Sequence, residues 1–387
     1  MKYLISGYYG EKNLGDDAIL AGLLQEIERL DPQARFTVFS FDPKDTERRH
    51  SLPGRSLKVI STVLRSPFRL RLAFKEADLF ISGGGSFLHE ADFALCGRSF
   101  LFREGKLRPI PYFLSLVFMA RAFGVPVMWY AQGLGPLHTK TAKCWVSQAG
   151  SISQVVTWRD SDSARLSYEI GMRAPVQLVV SDPAYALQSA PAEEVQDFLQ
   201  KQRPFIAVCP RPWLGQRGYL ENLGIALEKA ATQLDLEVLF IPFHKVHDGP
   251  VCESLAARPG FAGRARVLPA CKSLALLVGV LASAELVVAM RLHSGILSSV
   301  AGTPAVIIDY DPKTRAYAKQ TRQLPWTIPV DELECAAGAE QLLTAIMDTA
   351  NALPARRAQL APAVAFLREE SIRAAQLAVQ LATGKIR

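Results

Sequence analysis

Basic side chains follow directly on several predicted β-strands. Four strand ends carry them, at Arg159, at Arg211, at Arg291 with His293, and at Lys313. In parallel α/β sheets the carboxyl ends of the strands lie at one edge, and ligands bind there. Arginine holds carboxylate and phosphate groups through paired N–H donors. This concentration of cations predicts a bound anion that carries both a carboxylate and a phosphate.

Histidines in two of these loops have the chemistry to move protons or to bind a ligand. His293 lies two residues after Arg291, and we predict that it acts as an acid or base, with a backbone-bonded histidine at a helix start as the alternative. Its neighbour Ser294 is predicted to contact substrate. His244 opens the run 244–248, which offers two imidazoles and a carboxylate but too few ligands for a metal. We predict a substrate contact at His244, contacts of this run at the joint of two lobes, and no metal site.

A glycine-bearing loop joins the first predicted strand to a helix. Its Asn13, Gly15 and Asp16 stand where backbone amides and a helix dipole attract an anion, so we predict substrate contacts at all three. Simple turn and cap roles are the alternative for Asn13 and Asp16. The spacing fits neither G-x-G-x-x-G nor a P-loop, so dinucleotide and nucleoside-triphosphate binding are not supported.

Two more glycine runs occupy the same place in the topology. Gly84 and Gly85 lie in G-G-G-S after the predicted strand 78–82, and Gln132 opens Q-G-L-G-P after the strand 125–131. Consecutive glycines permit positive φ or a close approach to the backbone. Such a close approach could be made by a ligand or by another segment of the chain that crosses tightly. We therefore predict substrate contacts at these three residues, with close packing as the alternative.

The composition fits a folded protein with two cores. The chain has 387 residues, 49% of them hydrophobic and 21% charged, and exceeds the size that one core usually reaches. Its net charge of +7 favours anionic partners. Six cysteines without a C-x-x-C pair argue against a zinc site and a disulfide framework. No apolar run approaches the roughly 20 residues of a membrane span and no secretory region opens the chain, so we expect a cytoplasmic protein.

Short β-rich runs alternate with helical segments along most of the chain, which predicts an α/β fold with two Rossmann-like, doubly wound lobes. The lobes are predicted at 1–185 and 203–330, with a helical segment at 331–387 that packs back across the joint. The predicted strands are 2–6, 35–39, 78–82, 125–131, 155–158 and 176–180 in the first lobe and 205–209, 237–242, 267–268, 286–289, 305–308 and 326–328 in the second.

Together these motifs resemble the polysaccharide pyruvyl transferase family, and within it the bacterial cell-wall-polymer pyruvyl transferases linked to surface-layer anchoring. Their order and joint occurrence carry the resemblance. The motifs are Gly7-Tyr8-Tyr9-Gly10, Asn13-Leu14-Gly15-Asp16, Gly83-Gly84-Gly85-Ser86, Gln132-Gly133-Leu134-Gly135-Pro136, Arg159-Asp160, Asp182-Pro183, Arg211, Met290-Arg291-Leu292-His293 and Tyr310-Asp311-Pro312-Lys313.

The resemblance implies a fold like that of two-lobed GT-B glycosyltransferases, with the active site in the interlobe cleft. It implies phosphoenolpyruvate as the donor, whose pyruvyl group becomes a ketal on a sugar of a cell-envelope polysaccharide precursor while phosphate leaves. The functional positions that it implies are Arg159, Arg291, His293 and Lys313. We predict that His293 and Arg291 are catalytic, that Arg159, Arg211 and Lys313 bind substrate, and that no cofactor is needed beyond the donor.

Two other classes of function stay open at this point. A GT-B nucleotide-sugar glycosyltransferase needs a contact to ribose, for which Asp309 and Asp311 are the candidates. A basic binding module for acidic polysaccharide or nucleic acid needs an exposed basic stripe in place of a converging cleft. We predict no nucleic-acid partner, and the sequence does not indicate an oligomeric state.

Basic and apolar residues are interleaved in two segments of the first lobe, 58–75 and 98–106. The resemblance suggests a lipid-linked sugar acceptor, which a cytoplasmic enzyme meets at the inner face of the membrane. We therefore predict a peripheral contact of these segments with anionic lipid. Core helices with solvated charges are the alternative.

Overall fold

The structure is a computed structural model that describes residues 1–61, 67–90, 102–103, 106–107, 109–200, 203–213 and 218–386. The chain forms two compact units. Unit 1 consists of Met1–Glu11, Ile19–Ala186 and Leu367–Arg387, and unit 2 of Lys12–Ala18 and Leu187–Phe366. The domain limits predicted from the sequence stay a prediction.

Unit 1 contains a parallel sheet and a short antiparallel ladder. Its strands are β1 (Lys2–Ser6), β2 (Arg35–Ser40), β3 (Ser56–Ser61), β4 (Leu79–Ser82), β5 (Gly85–Leu88), β6 (Phe102–Arg103), β7 (Lys106–Leu107), β8 (Val127–Leu134), β9 (Val155–Trp158) and β10 (Val176–Val179). The order in the sheet is β10-β9-β8-β4-β1-β2-β3, β5 pairs with β8, and β6 and β7 form a separate antiparallel ladder. Because the order reverses between β1 and β4, the sheet is doubly wound.

Both faces of this sheet are buried. Leu4 and Phe80 belong to one apolar cluster, whereas Tyr3, Ile5 and Ile81 belong to another, because successive side chains of a strand alternate between the faces. The helices of this part of the chain are α1 (Leu14–Leu30), α2 (Pro43–His50), α3 (Pro67–Glu76), α4 (Pro109–Ala122), α5 (Lys140–Ser151) and α6 (Ser161–Glu169), with a short 3-10 turn at Pro183–Ala186. Burial on both faces explains the nearly continuous apolar strands.

Unit 2 repeats the architecture on a six-stranded parallel sheet. Its strands are β11 (Phe205–Cys209), β12 (Glu237–Phe240), β13 (Ala265–Val267), β14 (Leu286–Ala289), β15 (Ala305–Asp309) and β16 (Thr327–Pro329). Their order is β13-β12-β11-β14-β15-β16, which reverses between β11 and β14. Ile206, Phe240, Val288 and Ile308 lie in one apolar cluster on this sheet.

The remaining helices follow the strands of unit 2. They are α7 (Ala192–Leu199), α8 (Gly218–Leu234), α9 (Lys245–Ala256), α10 (Leu274–Ala282), α11 (Leu292–Val300), α12 (Pro312–Gln320), α13 (Val330–Leu333), α14 (Gly338–Asn351) and α15 (Leu353–Ala382), with 3-10 turns at Pro259–Phe261 and Leu324–Trp326. Helix α15 begins in unit 2 and ends in unit 1, where Ala374, Ala378 and Leu381 join an apolar cluster. In the described part of the chain, no helix is both long and apolar enough to cross a bilayer.

The predicted α/β fold with two Rossmann-like sheets is confirmed. Each predicted strand has a counterpart, but β3, β5 and the short β6 and β7 are not among the predictions. β3 is an edge strand whose residues are exposed or half-buried, so it lacks the apolar run that marks a central strand. The basic segment predicted from residue 58 onward therefore starts as a strand and continues as α3. Residues 62–66, with Arg65, and most of 98–106 lie outside the described residues.

Candidate active site

Basic and polar loops meet at one edge of the unit 2 sheet. Arg211 follows β11, His244 follows β12, Arg291 follows β14 and Lys313 follows β15. The sheet order reverses between β11 and β14, and ligands of doubly wound sheets bind at that switch point, beyond the carboxyl ends of the strands. The structure thus places these four predicted residues at the edge where the fold class binds its ligands.

Arg291 forms a bidentate ion pair with Asp248. Its Nε lies 3.0 Å from Oδ2, and its Nη2 lies 2.6 Å from Oδ1. Asp248 is fully buried, and its Oδ2 also accepts the backbone N–H of His244 at 2.8 Å. The Arg291 side chain is 16% exposed. The pair fixes the plane of the guanidinium, while Nη1 bonds no described residue and can donate to a ligand.

His244 caps the first turn of α9. Its Nδ1 accepts the backbone N–H of His247 at 3.3 Å, so the neutral ring carries its proton on Nε2. Burial lowers the pKa of His244, the positive charges of His247 and Arg291 lower it further, and Asp248 opposes them. His244 is therefore a neutral hydrogen-bond donor near neutral pH.

Residues 12–18, at the end of the loop after β1 and the start of α1, belong to unit 2. The backbone N–H of Leu14 donates to the carbonyl of Phe243 at 2.9 Å, and Asn13 pairs with His244 in an antiparallel bridge. Within the loop, Asn13 Nδ2 donates to Asp16 Oδ2 at 2.6 Å, and Asn13 Oδ1 accepts the Gly15 N–H at 3.1 Å. In sequence this loop lies with the glycine runs of the first half, but tertiary contacts join residues 13 and 14 to the loop of His244.

Gly15 lies against the imidazole ring of His293. A Cβ at residue 15 would lie 2.5 Å from Nδ1 and 2.9 Å from Cγ of that ring, which is too close for any side chain. Glycine alone permits this approach of ring and backbone. The half-buried His293 is thereby held beside the first turn of α1 and two residues from Arg291. Asn13, Gly15, His244, Arg291 and His293 form one cluster.

Arg211 and Lys313 stand at the strand ends on either side of β14. The Arg211 guanidinium lies 5.1 Å from the ring centre of Trp213 and 4.7 Å from that of Tyr310, and both aromatic faces attract a cation. Lys313 Nζ lies 3.4 Å from Asp311 Oδ2, and the lysine side chain is 34% exposed. Neither cation is locked as firmly as Arg291.

Ser294 is fully buried at the start of α11. Its hydroxyl donates to the carbonyl of Arg291 at 2.6 Å, which holds the first turn of the helix. Ser294 also bonds the thiol of Cys209, whose pKa is raised by burial. The substrate contact predicted at Ser294 stays a prediction.

Arg159 belongs to a second polar cluster, in unit 1. Its Nη2 donates to Ser86 Oγ at 2.6 Å, its Nη1 lies 3.4 Å from Asp182 Oδ2, and it is 7% exposed. Gln132 is fully buried and donates from Nε2 to the carbonyl of Gly85 at 2.8 Å. These contacts join β5, the carboxyl end of β8 and the loop after β9, so the structure brings three predicted residues, Arg159, Gly85 and Gln132, to one edge of this sheet, with Gln132 inside β8 and not after the strand as predicted.

Close packing accounts for Gly84. A Cβ there would lie 3.1 Å from the carbonyl oxygen of Tyr130 and 3.3 Å from that of Ala131. The glycine run therefore lets the loop pass close to the backbone of β8. A substrate contact at Gly84 stays a prediction.

Three polar residues of these clusters were not predicted as site residues: Asp248, Ser86 and Asp182. Asp248 lies four residues after His244, so both fall on one side of the first turns of α9. That spacing could have indicated Asp248 from the sequence. The pairing of Asp248 with Arg291 could not be predicted in this way, because it depends on β12 and β14 lying on either side of β11 in the sheet.

The sequence profile of the polysaccharide pyruvyl transferases matches residues 13–312. The chain belongs to this family. The match begins at Asn13, includes Arg159, His244, Arg291 and His293, and ends one residue before Lys313. No curated protein sequence matches this pyruvyl transferase family member significantly.

The titles of solved structures with a similar fold name UDP-N-acetylglucosamine 2-epimerases and a UGT transferase. A putative UDP-N-acetylglucosamine 2-epimerase from Listeria monocytogenes has a TM-score of 0.66 at 10% identity, over 100% of this chain and 97% of its own. The UDP-GlcNAc 2-epimerase from Neisseria meningitidis bound to UDP-GlcNAc has a TM-score of 0.61 at 11% identity, over 99% of this chain and 100% of its own. A UGT transferase from Siraitia grosvenorii in complex with UDP has a TM-score of 0.56 at 11% identity, over 99% of both chains. These similarities establish a GT-B-like fold.

Proposed function

We propose that this protein transfers the pyruvyl group of phosphoenolpyruvate onto a sugar as a ketal and releases phosphate. The sugar belongs to a cell-envelope polysaccharide precursor of the kind used in surface-layer anchoring. The observation that carries the proposal is the Arg291–Asp248 pair beside His244 and His293 at the switch edge of unit 2, inside the range that the family profile matches.

The donor is an anion with two acidic groups, and the cluster is suited to it. Arg291 offers the N–H groups of Nη1, and His244 offers Nε2–H without adding a charge. Arg211 and Lys313 supply cations from the flanking strand ends. We assign the phosphate and carboxylate of phosphoenolpyruvate to these donors because charge-assisted hydrogen bonds to such anions are strong and directional. Arg159 is proposed as a further substrate-binding cation in unit 1.

The reaction requires proton transfers but no transfer of electrons to or from a cofactor. One sugar hydroxyl attacks the carbon that bears the phosphate, the methylene carbon gains a proton and becomes a methyl group, the C–O bond to phosphate breaks, and a second hydroxyl closes the ketal. The two hydroxyl protons end on the methyl group and on the phosphate. His293 is our candidate for moving them, and Arg291 stabilises the charge of the leaving phosphate. The proposal includes no cofactor because no electrons are exchanged with one.

The glycosyltransferase alternative depends on an acidic contact to ribose, and the two candidates are occupied. Asp309 Oδ1 accepts the hydroxyl of Thr314, and Asp309 Oδ2 lies 3.5 Å from Arg315 Nη1. Asp311 caps α12 by accepting the N–H of Lys313 at 2.9 Å. Both carboxylates serve the loop itself, which favours the pyruvyl transfer.

We also propose a peripheral contact with anionic lipid through α3. Phe68 is 76% exposed and Leu72 is 41% exposed, and the exposed Arg71 and Lys75 lie on the same helix. Such a helix places apolar side chains in the headgroup layer and cations against anionic lipid. Binding to anionic vesicles should fall as salt rises and on charge reversal at Arg71, whereas equal binding to neutral vesicles would refute the contact.

Ligand-induced stabilisation tests the proposed function. Phosphoenolpyruvate should raise the melting temperature, since a ligand at about 100 times its Kd adds about 2.7 kcal/mol, whereas a UDP-sugar or an oligonucleotide should not. His293→Gln should lower turnover about a hundredfold or more. His138→Gln, at an exposed histidine of unit 1, is the matched control. Stabilisation by the UDP-sugar alone would assign the protein to the glycosyltransferases.

A further inference from the structure

Unit 1 contains a cavity of about 330 Å³ at the amino-terminal ends of three neighbouring strands. It lies over β1, β2 and β3, and α3 forms part of its wall through Ala73 and Glu76. The edge is opposite to the carboxyl edge of this sheet, where Arg159 and Gln132 lie, so the cavity is separate from their cluster. Its volume is within the range of small-ligand sites.

Three cations line this cavity from three different strands. They are Lys2 of β1, Arg35 of β2 and Lys58 of β3. Lys2 is the register partner of Arg35, and Lys58 is the register partner of Thr37, two residues beyond Arg35. Side chains two residues apart on a strand share a face, so all three cations stand on the face that α3 covers. The positions follow from the sheet register and are not a chance meeting of flexible loops.

Within the described residues, none of the three cations Lys2, Arg35 and Lys58 forms an ion pair, although many arginines of this chain do. Lys2 and Arg35 are direct neighbours in the sheet, and like charges in that position repel. Glu76 is the one acid among the lining residues, so the lining carries a net charge of +2, from three cations and one anion. An anion in the cavity would relieve this repulsion.

The polar lining favours a phosphate group. Thr37 and Ser56 add hydroxyl donors next to the cations. Hydroxyls, a guanidinium and ammonium groups together match the several oxygens of a phosphate better than the two oxygens of a carboxylate. We propose that this cavity binds the phosphate of an anionic ligand. A soluble phosphorylated compound and a lipid headgroup both carry this chemistry. The proposal is independent of pyruvyl transfer.

Matched double variants test the site. Arg35→Gln/Lys58→Gln removes two lining cations, and Arg121→Gln/Lys143→Gln removes two exposed cations of unit 1 that do not line the cavity, with the same change in net charge. Binding of inorganic pyrophosphate is measured by calorimetry with phosphoenolpyruvate at saturation. We expect the first variant to bind at least about tenfold more weakly, the loss expected for one charge-assisted hydrogen bond, and the control to bind as the parent does.

A second experiment, with vesicles, distinguishes a lipid headgroup from a soluble phosphorylated ligand. Co-sedimentation compares vesicles of phosphatidylglycerol and phosphatidylcholine in equal parts with vesicles of phosphatidylcholine alone. Loss of binding to the anionic vesicles in the lining variant, but not in the control, identifies a headgroup site, whereas loss confined to pyrophosphate identifies a soluble ligand. Absence of binding to both probes, or equal effects of the two double variants, would overturn the proposal. Because the lining variant removes repulsion, its ligand-free melting temperature should not fall, and a fall of several degrees would also count against it.

Discussion

The pair of Arg291 and Asp248 gives the most demanding test of the candidate site. Asp248→Asn keeps the size of the side chain but replaces one acceptor oxygen by an NH2 group. Of the three bonds to the carboxylate, at 2.6, 2.8 and 3.0 Å, at least one to Arg291 is lost. The guanidinium is then left without its counter-charge. Breaking a buried ion pair costs about 3 to 5 kcal/mol, and we expect about 3 because Arg291 keeps some contact with solvent.

The same substitution should impair catalysis through the position of Arg291. A displacement of about 1 Å of a substrate-holding group costs about a hundredfold in rate. We expect kcat with phosphoenolpyruvate to fall by about that factor and KM to rise. Steady-state kinetics measure both, and urea unfolding measures the loss of stability.

A matched control separates the effect of the position of Arg291 on catalysis from the effect of a loss of protein stability. Glu28→Gln breaks another bidentate pair, in unit 1, where Arg55 Nε lies 2.6 Å from Oε1 and Nη2 lies 2.8 Å from Oε2. It should destabilise the protein without changing kcat or KM.

A second readout follows from the charge of Asp248. Because that charge raises the pKa of His244, Asp248→Asn should lower this pKa further, which an NMR titration of the imidazole detects. If Asp248→Asn loses stability but keeps kcat, KM and the His244 titration of the parent, Asp248 does not position this site.

Two further predictions concern the neighbouring residues. Gly15→Ala should displace His293, since the new Cβ would lie 2.5 Å from Nδ1, and turnover should fall about a hundredfold. The loss of stability caused by Gly15→Ala should largely vanish in a His293→Ala background. An unchanged loss in that background would refute the clash. His244 should make the protein less stable in acid: its folded pKa lies below the ordinary value of 6.5, so the unfolded chain binds the proton first and stability falls as the pH drops below about 6.5. Urea unfolding between pH 5 and 8 should show a shallower fall for His244→Asn than for the parent or for His138→Asn, and parallel curves would contradict the lowered pKa.

Much of the fold follows from local sequence patterns. The predicted limits of β1, β9, β11 and β14 coincide with the observed ones because these strands are mostly apolar and have a neighbouring strand on each side. β3 escapes prediction because an edge strand needs no apolar run. The strand-end rule predicted where five residues lie: Arg159 follows β9 in unit 1, and Arg211, Arg291, His293 and Lys313 follow strands of unit 2, while their roles stay predictions.

Local sequence patterns do not predict the contacts between loops. No local signal shows that residues 12–18 join unit 2, because the bonds that hold them are to Phe243 and His244, more than two hundred residues away. For the same reason the sequence predicts a cation at Arg291 but not the buried carboxylate that orients it. Close packing of the His293 ring on Gly15 is another such contact, and the substrate contact predicted at Gly15 stays a prediction.

The most direct test of the central claim follows the pyruvyl carbon. The protein is incubated with phosphoenolpyruvate labelled with heavy carbon at the methylene position and a panel of free and lipid-linked sugars that have two neighbouring free hydroxyls, and NMR and a phosphate assay follow the products. Pyruvyl transfer should give a labelled methyl group bonded as a ketal to one sugar, one phosphate released per ketal, and neither product with His293→Gln. Phosphate released with free pyruvate and no ketal, or a donor left intact while a nucleotide sugar is consumed, would contradict it.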